Sequence, residues 1–500
     1  MSSCEAADCQ LHIFLFPFTA YGHMIPIIDM AKLFAARGVK TTLLLTPHNA
    51  TMFSKSVERE RSLFGLDIHI QILGLPFKEA GLPEGIENID DIRSPDMLPS
   101  HFLAIQSLQE PLEQLLEKHR PDFIVADMFL TFATEAAAKY GIPRFVFHGT
   151  GFFPQCIEET LVSRKTHELG ITSDREIFVV PDLPDNIEMT RLQLSDHLRG
   201  SDAFMTEAWE HIRDSEKKSY GILVNSFYEL EPAYAMHYKN VLGKRAWSIG
   251  PVSLRNRNNI DKAERAAKKT STDEHILVNW LDSKDPRSVL YICFGSMYSR
   301  LSKAQWHEIA LGLEDSGTSF IWVLRNIKQE EEESPLPEGF EDRMAAGKRG
   351  LIIKEWAPQV LILDHPAVGG FMTHCGWNSR LEGVSAGVPM VTWPMSAEQF
   401  YNENLITKVL KIGIQVGVEK WNPWTRDLED VSVEKEKVSK AVSRLMGDGE
   451  EAKNMRTRVK ELSDMAKEAV EEGGSSYENL TALIQEFKML KQKPSNVVGN

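Results

Sequence analysis

The chain alternates short apolar runs with amphipathic helical stretches, and it does so on both sides of one stretch where the pattern fails. That alternation restricts the fold more than any other feature, because it calls for parallel strands joined by crossover helices, an α/β architecture. Residues 12–16 (HIFLF) read as a buried strand stopped by Pro17. Ile27, Met30, Ala31 and Phe34 then fall at helical spacing, and Gly38 is placed to end the helix before residues 40–45 resume as a strand. A second unit runs through strand 123–126, helix 133–140 and strand 144–147. Between 254 and 273 apolar periodicity disappears, while Arg255, Asn256, Arg257, Asn258, Asn259, Lys268 and Lys269 accumulate. This stretch reads as an exposed interdomain linker rather than a site for an anionic partner. Strand 288–294, helix 306–313 and strand 320–324 restart the pattern. The expectation is two Rossmann-like domains, 1–252 and 276–476, joined by linker 253–275 and followed by a closing segment 477–500. Ligands in such sheets bind at the carboxyl ends of the strands.

Composition narrows the function classes. With 56 Lys and Arg against 71 Asp and Glu, the net charge of −15 disfavours a nucleic-acid partner. Cys4, Cys9, Cys156, Cys293 and Cys375 are odd in number, scattered and without a C-x-x-C, which argues against a disulfide framework or a zinc knuckle and for a reducing compartment. The apolar stretch 13–18 is too short to span a bilayer, and Glu5 and Asp8 stand where a signal peptide would carry Lys or Arg. A cytoplasmic protein is expected. The acidic run 330–333, beside Pro335 and Pro337, lacks the spacing of a cation site and reads as a solvated loop.

The richest stretch is residues 356–399, WAPQVLILDHPAVGGFMTHCGWNSRLEGVSAGVPMVTWPMSAEQ. Residues 368–373 form a strand, His374-Cys375-Gly376 a tight turn, and residues 377–386 a helix whose first turn carries Asn378 and Ser379. Uncapped backbone N–H groups and the helix dipole at such a terminus suit a phosphate, although Asn and Ser are also ordinary capping residues there. His374 can donate to the same anion. Trp356 offers an indole face to a flat base. Glu382, one turn beyond Ser379, can accept from ribose hydroxyls, and Glu398 and Gln399 follow the next strand, 390–392, with groups suited to sugar hydroxyls.

From its WAPQ opening through HCGWNS to the closing Glu-Gln, this box resembles the donor-binding signature of plant family 1 glycosyltransferases, UDP-dependent enzymes that glycosylate small lipophilic molecules. The likeness extends over nearly the whole chain, including the DMF (127–129) and VFHGT (146–150) segments, and is greatest to a subgroup that often acts on flavonoids and terpenoids. The resemblance implies a GT-B fold, two Rossmann-like domains facing each other across a cleft. It implies that Trp356 stacks on uracil and the Ala357 backbone bonds the base. Gln359 and Glu382 would hold the ribose; Ser296, His374, Asn378 and Ser379 the diphosphate; Trp377, Glu398 and Gln399 the sugar. A terminal Gln is the mark of a UDP-glucose user. Arg380 departs from the family's Thr, facing solvent or adding a cation near the phosphates or an acidic sugar. The segment 477–490 resembles the closing helix that crosses back onto the first domain, and 495–500 reads as a frayed tail. A monomer is expected.

In the first half, Gly22-His23 follows the first strand and Asp127 ends the strand 123–126. An imidazole can take a proton from a hydroxyl, and a carboxylate can orient it and stabilise the imidazolium. In the resembled family the matching His and Asp form the catalytic dyad. No Asp-x-Asp occurs, so no metal or other cofactor is expected. Phe18, Tyr21, Phe129, Phe152 and Phe153 cluster near the dyad loops as candidate acceptor-pocket residues, with core packing the alternative. The acceptor is an aglycone or a glycoside. Two readings from other classes compete. Gly383-Val384-Ser385-Ala386-Gly387 matches the G-x-S-x-G of a serine esterase, but Ser385 falls at the end of a helix rather than on a strand-to-helix turn. A non-catalytic UDP-sugar-binding protein is expected to lack one of the dyad residues, and both are present.

Overall fold

The computed structural model describes residues 10–92, 94–265, 274–296, 301–324, 334–423 and 431–492. Strands His12–Phe16, Lys40–Leu45, Ile68–Ile72, Phe123–Asp127, Arg144–Phe147, Gly221–Val224 and Ala246–Ser248 form one parallel sheet, ordered 3-2-1-4-5-6-7 along the chain. Strands Val289–Cys293, Ser319–Val323, Gly350–Ile353, Val368–Thr373, Met390–Thr392 and Gly413–Gln415 form a second, ordered 3-2-1-4-5-6. The apolar runs are continuous rather than alternating because helices cover both faces; Phe123 to Asp127 and Val368 to Thr373 are buried at every position. In each sheet the winding direction reverses between the first and fourth strands, which opens a crevice at their carboxyl ends.

Local signals place the helices. Ser302 caps helix Lys303–Ser316 by accepting from the Gln305 N–H, and Gly317 ends it at φ +71°. Helix Ser475–Gln492 returns to the first sheet, where Leu480, Leu483, Ile484 and Phe487 join its core and the Phe487 ring lies 4.5 Å from Phe123. Among the described residues no helix is long and apolar enough to cross a membrane. Cys156 and Cys375 are buried free thiols.

Residues 253–265 of the expected linker 253–275 are folded, and only 257–260 among them are exposed. This segment folds into a turn, Val252–Arg255, and a helix, Asn259–Glu264, capped by the Asn258 side chain on the Asp261 N–H. Asn256 is only 3% exposed and donates to Asp29 Oδ1 at 2.8 Å. Arg59 pairs with Asp261 and Glu264, and Arg255 with Glu60. Asn256 and Arg255, which look solvated in sequence, are drawn inward because each meets a carboxylate, whereas Arg257, Asn258 and Asn259 stay exposed. Residues 266–273, the acidic run 330–333, the tail 495–500, Cys4 and Cys9 lie outside the described residues.

Candidate active site

The crevice of the first sheet brings His23 and Asp127 together. Their strands are neighbours, with Phe16 opposite Ala126, so the next residues up each strand emerge side by side. Asp127 is the last residue of its strand, and His23 is the third residue of helix Tyr21–Ala35. His23 Nδ1 lies 2.7 Å from Asp127 Oδ2, while Asp127 Oδ1 accepts the Phe129 N–H at 3.1 Å. Burial pushes the imidazole toward neutrality, but the charge and hydrogen bond of fully buried Asp127, helped by Glu398 and Asp90, outweigh it and raise the His23 pKa. With Nδ1–H given to the carboxylate, Nε2 carries the basic lone pair. Gly149, at φ +75°, passes so close that a Cβ there would sit 3.4 Å from His23 Cε1.

The crevice of the second sheet is built from backbone. Cys293 lies opposite Thr373, so the turns Phe294-Gly295-Ser296 and His374-Cys375-Gly376 converge. A Cβ on Gly295 or Gly376 would fall 2.6 or 2.4 Å from His374 Nε2, so only glycine lets both chains close on the imidazole. Burial lowers the His374 pKa to about 4, which makes the ring a neutral donor near pH 7. Helix Trp377–Ala386 begins at Gly376 with no side-chain bond from that residue; the Glu398 carboxylate accepts the Trp377 N–H, and the Asn378 and Ser379 N–H groups of the first turn can face an anion. Gln359 Nε2 donates to Ser379 Oγ at 3.1 Å and to Glu382 Oε2 at 2.7 Å. Trp356 lies edge-on to Tyr21 at 5.4 Å. Burial raises the Glu398 pKa, with Asn402 Nδ2 donating to its Oε1 at 3.0 Å. Gln399 Oε1 accepts the Met395 and Ser396 N–H groups, which commits its carbonyl end to the loop.

Two side chains of the donor helix reach across to the first half. The Trp377 indole donates to the Asn225 carbonyl at 2.7 Å and fills the space over Gly151, where a Cβ would lie 1.8 Å from Trp377 Cη2. Asn378 Nδ2 donates to the Gly22 carbonyl at 2.6 Å. Pro26, inside the helix, has no N–H to return to that carbonyl, so a side chain from the other half takes the place of the missing helical bond. Arg380 is fully buried and stacks 3.6 Å over the Trp377 ring, away from the cavity lining, which corrects both the solvent and the phosphate readings. Burial lowers its pKa to about 10, opposed by Glu231 and Glu398.

A single cavity of about 480 Å³ joins both crevices. His23, Ser296, Trp356, Ala357, Gln359, His374, Trp377, Asn378, Ser379, Glu382, Glu398 and Gln399 all line it. Asp127 stands behind His23. Phe18 and Phe129 form an apolar wall beside the base, 4.7 Å apart, whereas Tyr21 faces the Trp356 end. Phe152 and Phe153 are corrected: they start a helix whose N–H groups are capped by Glu231, and their rings pack on Tyr238 and Tyr234 in the core. Sequence reading missed Phe102, Met128, Phe204 and Trp209, which complete the apolar wall. It also missed a polar wall containing His148, Gln155, Glu158, His197 and Glu216, held by His148–Glu216 and His197–Glu158 contacts of 2.6 Å each. Exposed Phe204, just after the capping Asp202, was the one readable signal. Ser385 lies at the end of helix Trp377–Ala386 and off the cavity, so the esterase reading is not supported. Among the described residues, no group of three or more His, Cys, Asp or Glu is arranged to hold a metal.

Two facing Rossmann-like sheets with a nucleotide-type cradle on one and a His-Asp pair on the other define a GT-B glycosyltransferase. Residues 232–431 match the family model described as UDP-glucoronosyl and UDP-glucosyl transferase. The chain is 52% identical to a scopoletin glucosyltransferase of Nicotiana tabacum, covering 96% of this chain and 98% of that one. It is also 52% identical to an anthocyanin 3'-O-beta-glucosyltransferase of Gentiana triflora, with 96% and 98% covered. A Glycyrrhiza uralensis UDP-glycosyltransferase crystallised with glycyrrhetinic acid 3-O-monoglucuronide superposes with a TM-score of 0.90 at 43% identity, covering 96% of each chain. The protein belongs to the plant UDP-glycosyltransferase family.

Proposed function

We propose that this enzyme moves glucose from UDP-glucose to a hydroxyl of a small lipophilic metabolite, a flavonoid, terpenoid or phenolic, with inversion to a β-O-glucoside. The observation that carries the reading is the 2.7 Å His23–Asp127 pair, whose His23 lines the same cavity as the start of helix Trp377–Ala386. His23 takes the acceptor proton, and Asp127 stabilises the imidazolium that forms. The acceptor oxygen attacks the anomeric carbon from the face opposite UDP, and the bond to the diphosphate breaks. The first-turn N–H groups, with Ser296, His374, Asn378 and Ser379, stabilise the leaving diphosphate, so the reaction needs no metal and survives EDTA. Trp356 and Ala357 take the uracil, Gln359 and Glu382 the ribose, and Trp377, Glu398 and Gln399 the sugar.

Gln399 at the end of the box supports glucose, as do relatives named glucosyltransferases. Phe18, Phe102, Phe129 and Phe204 support an apolar acceptor body, and the polar wall supports acceptors that carry a second polar group, glycosides included. Both halves of the site come from one chain, which supports a monomer, and the buried free thiols of Cys156 and Cys375 fit a cytoplasmic protein. The test is incubation with labelled UDP-glucose and a panel of flavonoid, triterpenoid, phenolic and glycoside acceptors, with the product's anomeric configuration read by NMR. A β-glucoside is expected. An α-glucoside, or UDP binding with no glycoside from any acceptor, contradicts the reading.

A further inference from the structure

Helix Tyr21–Ala35 carries His23, and helix Trp377–Ala386 carries the donor-facing residues. They are tied at two points. The first is the Asn378–Gly22 bond that the Pro26 gap makes possible. The second runs through Arg265, which comes from the segment that sequence reading took for an exposed linker. Arg265 Nε donates to Asp29 Oδ2 at 2.6 Å, and its Nη1 donates to Glu382 Oε1 at 2.5 Å. The side chains of Arg265, Asp29 and Glu382 are 9%, 1% and 6% exposed, so water screens this triad little. The other oxygens are taken as well: Asp29 Oδ1 by Asn256 Nδ2 at 2.8 Å, and Glu382 Oε2 by Gln359 Nε2 at 2.7 Å. Asn378 and Glu382 stand one turn apart on the donor helix, and Gly22 and Asp29 stand two turns apart on the base helix. The two ties therefore fix both the spacing and the relative rotation of the helices.

We propose that Arg265 is a positioning residue for glycosyl transfer: it joins the helix of the base to the carboxylate that receives the donor ribose, and so sets the distance between base and donor. This rests on the donor-site reading under Proposed function. A guanidinium suits the task because its planar fork bonds two carboxylates at once, whereas an ammonium is a point charge. Without it, two buried carboxylates lose their shared cation. Glu382 then loses the partner that fixes its carboxylate and becomes a less well-placed acceptor for ribose hydroxyls, and the base helix loses its hold on the donor side.

The experiment compares the parent with R265M, R265K and D29N/R265M. It measures UDP affinity by calorimetry, KM for UDP-glucose and for acceptor, kcat, and thermal midpoint. R265M is expected to weaken UDP binding and raise the UDP-glucose KM by about 10- to 100-fold, the loss typical of a charge-assisted bond, and to lower kcat while acceptor KM moves less than about twofold. D29N/R265M strands one carboxylate instead of two. It is expected to recover thermal stability without recovering UDP affinity, which separates positioning from mere folding. R265K is expected to keep most of the stability and only part of the UDP affinity. UDP affinity and kcat within about twofold of the parent in the folded R265M or D29N/R265M protein overturn the proposal. So does a lysine variant fully equal to the parent. A parent that binds no UDP refutes the donor-site reading instead.

Discussion

At the crevice of the first sheet the chain places two titratable side chains; at the crevice of the second it places backbone amides and an imidazole that burial keeps neutral. The strand orders match, 3-2-1-4-5-6 in both apart from one added edge strand, so topology puts a site in each place without deciding its chemistry. The difference lies in the residues just after the first and fourth strands. In the first sheet these are Gly22-His23 at the start of a helix and Asp127 at a strand end. In the second they are Gly295 and Gly376, whose missing side chains let two backbones close on His374. One half can therefore move a proton, and the other can hold an anion. Transfer needs both at once, which is why the bridges between them, Trp377 over Gly151, Asn378 on Gly22 and Arg265 on Asp29 and Glu382, matter as much as either half.

The contrast can be broken first at the proton side. Asp127→Asn is expected to lower kcat/KM by about 10²- to 10⁴-fold with UDP affinity unchanged. Its pH profile carries the sign. In the proposed mechanism the base is neutral His23, whose pKa is raised, so activity is expected to fall as pH drops through a value above 6.5. Without the Asp127 charge, burial is the largest remaining influence and the acid limb moves to lower pH; a limb that stays in place contradicts the pairing.

The anion side comes next. Gly376→Ala places a Cβ 2.4 Å from His374 Nε2 and must displace the ring or the turn. UDP affinity is expected to fall about 10- to 100-fold, measured by calorimetry, with the His23 pH limb unmoved. Glu382→Gln keeps the shape but loses the charge that faces Arg265 and the ribose, and is expected to raise the UDP-glucose KM by about tenfold. The smallest effect belongs to the acceptor wall. Phe204→Ala removes a half-exposed ring and is expected to raise the KM of bulky apolar acceptors by about two- to fivefold without touching UDP binding.

The same comparison explains how much of the molecule could be read in advance. Every strand bound predicted in 356–399 matches the structure, and the donor residues all line one cavity, because a contiguous box fixes its own register. The pairing of His23 with Asp127 was readable for a related reason, since Asp127 ends its strand and His23 opens the helix that follows the neighbouring strand. The acceptor wall was readable only in part: Phe18 and Phe129 line it, but the rest did not show. Phe102 and Phe204 come from helices far apart in the chain, while Phe152 and Phe153, next to the dyad loops in sequence, turn into the core. An apolar ring before a helix looks the same whichever way it turns. Arg265 was misread for the opposite reason: a buried, fully paired charge has the same sequence signature as a solvated one.

In the proposed division of labour one half of the molecule supplies the base and the other holds the donor, and His23→Ala in single turnover separates the two. The variant is expected to bind UDP with parental affinity in calorimetry yet form no glycoside from bound UDP-glucose and an acceptor that the parent glucosylates. Glycoside formation at the parental rate would contradict it, as would loss of UDP binding in the folded variant.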